Sequence, residues 1–173
     1  AKALFGGAFS FGARVPSRRG GYSAFVLVSS LKSVEAPEEI RKKALVLRPR
    51  EFAIGVGCRR GVSAREISLA VKKAMEEAGI SLLSIRNIAT IDIKKDEAGL
   101  TGFAAQAGLG MEYFSAAELN RVRPPSGRSR TVEEKTGAAG VCEPAALLSA
   151  GAKRLWLKKR VYGRVTVAAA RVR

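Results

Sequence analysis

The sequence predicts an α/β protein, a three-layer α/β/α sandwich built on a mixed, mostly parallel sheet. Short apolar runs alternate with amphipathic segments of about 10–15 residues, which is the order of strand–helix–strand units. The chain ends on two β-branched runs around a short turn, and this pattern indicates an antiparallel hairpin. With 173 residues, the chain is long enough for one domain with a substantial core.

The first third of the chain predicts three strands and one helix. Residues 1–21 are rich in glycine and arginine, and we expect a linker or tail there. The run AFVLVSS, residues 24–30, predicts a buried strand. APEEIRKKA predicts a short helix with Pro37 as its first helical residue. LVLRP and FAIGVG predict two extended segments, separated by Pro49 because proline cannot lie inside a central strand.

Two helices and a strand are predicted in the middle of the chain. Ser63 and Glu66 match the S-x-x-E capping box, and Gly79 marks the end of that helix. Residues 85–93, IRNIATIDI, predict the next strand, and Asp96 and Glu97 begin a second helix. The predicted apolar faces of the two helices are Ile67, Ala70, Val71, Ala74, Met75 and Ala78, followed by Leu100, Phe103, Ala104 and Ala107.

The last third predicts a strand, three helices and the closing hairpin. MEYF predicts a short strand, and Ser115 with Glu118 repeats the capping box ahead of a helix. RPPSGRSR predicts a loop, and TVEEKTG predicts a short helix. Pro144 lies in the first turn of the helix predicted over AALLSAG. The two final strands meet around Tyr162 and Gly163.

Charge and residue usage narrow the range of functions. The net charge is +16, from 31 Lys and Arg against 15 Asp and Glu. This favours a polyanionic partner, although a basic solubilising surface has the same balance. The chain has no histidine and only two cysteines, which excludes Ser-His and Cys-His catalysis and a zinc site of the usual kind. We therefore predict no metal site and no cofactor.

The expected location is the cytoplasm. The sequence has neither a secretory signal nor an apolar run of the roughly 20 residues that a membrane span needs. Two cysteines far apart are too few for a disulfide framework. We expect no membrane partner.

The stretch IGVGCRRGVS is the first candidate binding loop. Ligands collect at the carboxyl ends of strands in open α/β sheets, and glycine lets a ligand approach the backbone. Arginines there suit carboxylate or phosphate, although a turn with solvated arginines has the same sequence. Positive charge would lower the pKa of the Cys58 thiol, whereas a small packed residue is the alternative. The candidate binding residues are Gly55, Gly57, Cys58, Arg59, Arg60 and Gly61.

The stretch TIDIKKDEAG is the second candidate loop. Strand alternation would place Asp92, Lys94 and Asp96 on one side of the chain. A carboxylate beside a lysine can act as a general base or form an ion pair. Asp92 and Lys94 are therefore candidate catalytic residues. Thr90 and Glu97 are candidate binding residues, although the helix start also explains Glu97.

Acids at two other helix starts have a simpler explanation. Glu143 precedes Pro144, so the helix dipole explains it unless it faces the binding cleft; we keep it as a candidate binding residue. Helix capping alone explains Ser115 and Glu118.

Five motifs together resemble the C-terminal domain of the cobalamin-biosynthesis proteins CbiG and CobE. They occur in the same order and with similar spacing from about residue 45 to residue 172. The motifs are GVGCRRGVSAREISLAVKKAMEEAGI, IATIDIKKDEAGL, FSAAELN, TGAAGVCEPAALLSAG and VTVAAAR. The resemblance implies an α/β/α domain over residues 51–173, preceded by a connecting segment over residues 22–50.

The resemblance also implies a function in corrin-ring biosynthesis. CbiG is the cobalt-precorrin-5A hydrolase, a hydrolase acting on carbon–carbon bonds, which opens a δ-lactone and releases acetaldehyde. CobE corresponds to the C-terminal domain alone. The implied ligand is a cobalt-precorrin tetrapyrrole, whose carboxylates Arg59 and Arg60 would hold. The roles of two residues follow from side-chain chemistry and not from the resemblance: Asp92 would activate water, and Lys94 would polarise or condense with a carbonyl.

The segment ahead of residue 50 does not resemble the N-terminal domain of CbiG, which contains a Ser-Gly-His stretch. We therefore expect a chain without that hydrolase domain, working with a separate N-terminal CbiG polypeptide or other corrin-pathway enzymes. A non-catalytic CobE-like accessory protein and a basic nucleic-acid-binding module are the alternatives. Nucleic acid is the weaker of these, because the few aromatic residues are not interleaved with basic ones.

Overall fold

Strands and helices alternate along the chain as the sequence predicts. The computed structural model describes residues 24–34 and 36–173, so the predicted linker or tail lies outside the described residues. The strands are β1 (Phe25–Val28), β2 (Ala44–Leu47), β3 (Phe52–Cys58), β4 (Ile85–Ile91), β5 (Gly110–Phe114), β6 (Leu157–Tyr162) and β7 (Val165–Arg171). The helices are α1 (Glu38–Arg41), α2 (Ala64–Glu77), α3 (Ala98–Ala107), α4 (Ala116–Leu119), α5 (Arg130–Thr136) and α6 (Cys142–Ala150).

The central sheet has five strands in the order β5-β4-β3-β7-β6. β3 pairs in parallel with β4, and β4 pairs in parallel with β5. β7 pairs antiparallel with both β3 and β6. Four of the five strands therefore point the same way and β7 opposes them, which confirms the mixed, mostly parallel sheet.

Helices cover both faces of this sheet. Side chains of β3 point alternately to the two faces of the sheet, and each face has its own core. On one face, Phe52, Ile54 and Val56 pack beneath α2 and α3. Ala53 packs on the other face against α6, with Ala146 and Ala150 of that helix. The arrangement is the predicted three-layer α/β/α sandwich.

The topology reverses at β3. From β3 the chain moves outward through β4 to β5, and it then returns through α6 to β6 on the other side of β3. In sheets of this kind a crevice opens at the carboxyl ends of the strands where the order reverses. The fold therefore directs attention to the carboxyl end of β3, where the first candidate loop lies.

Both predicted capping boxes are confirmed. Ser63 Oγ accepts the Glu66 N–H at 3.3 Å, and the Glu66 carboxylate accepts the Ser63 N–H at 3.0 Å. Ser115 and Glu118 make the same two bonds at 3.3 and 2.8 Å. Gly79, with φ at 67°, follows α2 as the predicted stop.

Details of three elements differ from the predictions. The strand expected over residues 85–93 ends at Ile91, and Asp92–Lys94 form a 3₁₀ turn, so strand alternation does not align the charged side chains there. Ala107, the last residue of α3, is exposed rather than apolar core. Pro37 precedes α1 with ψ at 146°, an extended value, and so caps the helix instead of beginning it.

The strand at β1 is confirmed, but its predicted burial is wrong. β1 pairs in parallel with β2 in a separate two-stranded sheet, so it does not enter the central core. Its residues alternate between half-buried and exposed. In the described part of the chain, no helix combines the length and apolarity needed to cross a membrane.

Candidate functional site

The loop after β3 is shorter than the sequence predicts. β3 continues through Cys58, so residues 59–63 form the connection to α2, and it begins with Arg59, Arg60 and Gly61. All three are exposed, and Gly61 has φ at 69°, which favours glycine. The two arginine side chains therefore stand at the carboxyl end of β3, at the edge to which the topology points.

Gly55 and Gly57 lie inside β3 and face the layer of α6. A Cβ atom at Gly55 would lie 1.8 Å from the carbonyl oxygen of Cys142, the first residue of α6. At Gly57 it would lie 2.7 Å from Thr166 Oγ1, and that hydroxyl donates to the Gly57 carbonyl at 3.2 Å. Close packing thus explains the absence of a side chain at both positions.

The two candidate loops are joined by the carboxylate of Glu97. Glu97 Oε1 accepts the backbone N–H of Gly61 at 2.8 Å, and Lys94 Nζ lies 2.7 Å from Glu97 Oε2. The Lys94 and Glu97 side chains are only 14% and 10% exposed. This cluster of Lys94, Glu97 and Gly61 therefore holds the loop after β3 against the turn after β4.

The surroundings of Glu97 favour its charged form. The hydrogen bond from Lys94 is the main reason that the pKa of the Glu97 carboxyl is lowered. The Gly61 N–H and the charge of Arg60 act in the same direction, whereas partial burial opposes them. Glu97 is thus an ion-pair and loop-fastening residue, beyond the helix-start role that its position suggests.

Replacing Glu97 with glutamine should destabilise the protein by about 1–3 kcal/mol near neutral pH, because Lys94 loses its counter-ion in a largely buried place. The folded pKa of Glu97 lies below its usual value of 4.5, so the stabilisation is present above that pH. It is lost as the pH falls through the folded pKa. Urea denaturation of both proteins over roughly pH 2.5–7, the range in which a carboxyl group titrates, measures this loss of stability.

Above about pH 5, the gap between the two unfolding free energies should stay constant, and it should close at the acidic end. Glu39→Gln, a change at an exposed position of α1, is the matched control. A gap that widens on acidification would contradict the assignment.

Cys58 is not activated in the way the sequence suggests. Burial raises the pKa of the Cys58 thiol and outweighs the opposing charge of Lys94, while Glu97 raises the pKa further. The prediction of a lowered pKa is therefore wrong, mainly because the thiol is partly buried and also because Glu97 offsets part of the Lys94 charge. Burial also raises the pKa of the Cys142 thiol, to about 11.

Asp92 and Thr90 have contrasting positions at the end of β4. Asp92 is half-buried, and within the described residues its carboxylate makes neither a hydrogen bond nor an ion pair. Thr90 is buried, and its hydroxyl donates to the Val56 carbonyl at 2.8 Å. Asp92 is therefore open to a ligand, whereas the Thr90 hydroxyl already fastens β4 to β3.

Glu143 does not join the other candidates. The residue is 2% exposed, and its carboxylate accepts hydrogen bonds from Ser126 N at 2.8 Å, Ser126 Oγ at 2.7 Å and Lys159 N at 2.9 Å. The bond from Lys159 lies where the β6–β7 register shifts between residues 157 and 160. Glu143 therefore links the start of α6 to the loop ahead of α5 and to β6.

Arg164 is a basic residue of this edge that sequence reasoning missed. It lies between β6 and β7, and its carbonyl accepts the Arg59 N–H at 3.0 Å. Its guanidinium pairs with Glu66 at 2.9 Å. The pKa of the Glu66 carboxyl is lowered to about 2, mainly by the hydrogen bond from the Ser63 N–H and then by the hydrogen bond from Arg164. The pairing of β3 with β7 brings the arginines together, and no local pattern shows that pairing.

The edge offers basic side chains and the open carboxylate of Asp92. Arg59 and Arg60 can bind carboxylates as forked donors, and Asp92 can accept a proton from water. Among the described residues, no group of three or more Cys, Asp or Glu side chains is arranged to hold a metal ion.

A surface cavity of about 330 Å³ lies away from this edge, between α2, α3 and the start of β4. Leucine and other apolar side chains make up much of its lining, with Arg50 and Lys72 as its cations. It includes none of the candidate residues. An anionic ligand fits the arginines beside β3 better than this mainly apolar depression.

The chain matches the family described as cobalamin synthesis G C-terminus over residues 52–170. A cobalt-precorrin-5A hydrolase from Priestia megaterium is 41% identical over 145 residues, which make up 83% of this chain and 38% of that relative. The chain therefore spans well under half the length of this relative.

Two solved structures resemble the fold. CobE, a protein from the cobalamin (vitamin B12) biosynthetic pathway, superposes with a TM-score of 0.67 and 32% identity, covering 72% of this chain and 92% of CobE. A cobalamin biosynthesis protein G homolog from Sulfolobus solfataricus has a TM-score of 0.56 and 20% identity. That match covers 96% of this chain and 50% of the homolog, and it supports the fold alone.

Proposed function

The chain belongs to the cobalamin synthesis G C-terminus family, and on this premise we propose that it binds a cobalt-precorrin at the carboxyl end of β3. The observation that carries the proposal is the exposed pair Arg59 and Arg60, held beside the Lys94–Glu97 ion pair at the edge where the topology reverses. A cobalt-precorrin carries many acetate and propionate carboxylates, and guanidinium groups bind carboxylates in forked geometry. A net charge of +16 attracts such a ligand over a longer range.

As a catalyst, this edge would open the δ-lactone of cobalt-precorrin-5A and release acetaldehyde. Asp92 would remove a proton from the attacking water, since no neighbouring group of the described chain occupies its carboxylate. Lys94 is held by Glu97, so it would polarise a substrate carbonyl through its charge rather than condense with it. Gly55, Gly57, Cys58, Gly61 and Thr90 would then shape the site through the backbone and through packing.

A non-catalytic accessory role, in which the chain binds the intermediate and leaves its bonds intact, is the second candidate. The likeness to CobE favours it, because this chain covers 92% of CobE, so the same fold occurs as nearly a whole protein. In either role the proposed partners are a separate N-terminal CbiG polypeptide or other corrin-pathway enzymes. The proposed location is the cytoplasm, which agrees with two free cysteines.

An acetaldehyde assay on cobalt-precorrin-5A separates the two roles. The purified chain is incubated with this substrate, alone and together with the N-terminal part of a CbiG protein. If the unmodified chain releases acetaldehyde and the Asp92→Asn variant does not, the catalytic role is supported. Binding without acetaldehyde in both mixtures supports the accessory role.

The binding proposal is tested with uroporphyrin III, a fluorescent tetrapyrrole with eight carboxylates. Arg59→Ala combined with Arg60→Ala should weaken binding at least about tenfold, since each charge-assisted hydrogen bond contributes roughly 1.5–3 kcal/mol. Fluorescence titration at about 0.15 M salt, the physiological ionic strength, measures the dissociation constants of the wild type and the variant.

The matched control removes two exposed charges elsewhere, Lys153 and Arg154, which lie between α6 and β6. An equal loss in the control would mean that only net charge matters. Tight binding to random DNA with no binding to uroporphyrin would replace the corrinoid proposal with a nucleic-acid-binding function.

A further inference from the structure

The small sheet of β1 and β2 exposes an apolar face. The two strands pair in parallel, and α1 connects them. Alternate residues on one face are exposed: Val26 58%, Val28 48%, Leu45 62% and Leu47 47%. We refer to these four side chains as the β1–β2 face.

This sheet is attached to the main domain by the segment that follows β1. Ser81 N donates to the Ser30 carbonyl at 2.9 Å, and Lys32 N donates to the Gly79 carbonyl at 2.7 Å. The Arg48 guanidinium donates to the Ser29 carbonyl at 3.1 Å. These bonds fix the strands beside the end of α2, and none of them involves the side chains of the β1–β2 face.

Two parallel strands are an incomplete unit. Parallel strands are normally buried on both faces within larger sheets, and a two-stranded sheet has little stability by itself. Large apolar side chains on one continuous face also mark an interaction surface. Some further polypeptide should therefore cover this face and extend the sheet.

Lengths of the relatives indicate which polypeptide this is. The match to CobE covers 92% of CobE but only 72% of this chain. Residues 51–173 make up a similar share of this chain. That match leaves out more than a quarter of this chain. The Sulfolobus solfataricus homolog, in contrast, matches 96% of this chain and has as much again outside the match. The unit formed by β1, α1 and β2 thus accompanies the longer form.

We propose that the β1–β2 face docks a polypeptide unit equivalent to the part of the longer relatives that this chain does not match. That unit would lay an apolar surface over Val26, Val28, Leu45 and Leu47 and add structure to the two-stranded sheet. A second copy of this chain is a poorer occupant, because a stable dimer buries about 800 Å² on each partner and this face presents four side chains. The inference rests on the partner named in the proposed function and adds the surface that would bind it, which lies on a different sheet from the proposed ligand site.

The test co-expresses the tagged full-length 173-residue chain with the part of the Priestia megaterium hydrolase outside its match. Co-expression lets each component fold in the presence of the other. We expect a one-to-one complex by size-exclusion chromatography with light scattering. Val28→Ser combined with Leu45→Ser should weaken the complex at least tenfold, because both side chains lose apolar surface that docking would bury.

The matched control replaces two exposed apolar residues elsewhere, Leu83→Ser and Val161→Ser, and should leave the complex intact. Recovery of the tagged chain alone would overturn the proposal, as would a complex that survives the Val28 and Leu45 changes. A homodimer that those changes convert to a monomer would make a second copy the occupant. Uroporphyrin binding should be unchanged in the Val28 and Leu45 variant, so this test fails independently of the ligand proposal.

Discussion

Replacing Gly55 with alanine should destabilise the protein by about 3–5 kcal/mol, at the upper end of what overpacking costs. The added methyl carbon would lie 1.8 Å from the Cys142 carbonyl oxygen, and that oxygen belongs to backbone that cannot rotate away. Relief requires α6 to move away from β3, which opens the core between Ala53 and Ala146. Such a loss corresponds to a fall in melting temperature of roughly 10 °C for a domain of this size.

Urea denaturation of the wild type and the Gly55→Ala variant measures this loss. Gly102→Ala is the matched control, because its methyl group would meet only Ala64 Cβ, at 3.6 Å, an ordinary contact. Gly102 lies inside α3, so alanine there should stabilise the protein by about 0.5–1 kcal/mol. Equal effects of the two substitutions would show that α6 does not press against β3 at Gly55.

Glu143→Gln should destabilise the protein by about 2–3 kcal/mol, although the side chain keeps its shape. The wild-type carboxylate faces two backbone donors, Ser126 N and Lys159 N, one on each oxygen. Glutamine has only one oxygen, so in either orientation its amide group faces an N–H and one donor loses its acceptor. The loop ahead of α5 or the irregular part of β6 then loosens.

Chemical denaturation of Glu143→Gln at pH 7 checks this value, and Glu134→Gln, at an exposed position of α5, serves as the control. Hydrogen exchange adds a local readout, since the amides of Ser126 and Lys159 should exchange faster than in the wild type. Unchanged stability with unchanged exchange would show that the carboxylate is not the anchor of these segments.

Local elements of this fold could be predicted because their signals lie within a few residues of one another. The capping boxes at Ser63 and Ser115 each need only a hydroxyl and a carboxylate three positions apart. The hairpin around Gly163 likewise follows from two β-branched runs and the turn between them. The alternation of these elements along the chain then predicts the layered α/β architecture.

Predictions that relied on extending a local pattern into the site were less successful. Strand alternation failed after Ile91 because the chain turns into a 3₁₀ helix there. The lowered pKa expected for Cys58 assumed free positive charge, whereas Glu97 already pairs with Lys94 and burial dominates. Glycines at positions 55 and 57 suggest places where a ligand could approach, but α6 and Thr166 fill the space beside them.

The sequence by itself determined most secondary-structure elements, the layered fold and the resemblance to the cobalamin-biosynthesis family. Periodicity, capping and motif order are properties of neighbouring residues, so they can be read without the tertiary structure. Only the tertiary structure decided which groups meet at the edge of the sheet. Arg59 meets Arg164 through the β3–β7 pairing, and Glu143 meets Lys159 across the register shift of β6. Burial and hydrogen-bonding or ionic partners set the charge state of a side chain and whether it is available to a ligand. Both depend on residues far apart in the chain.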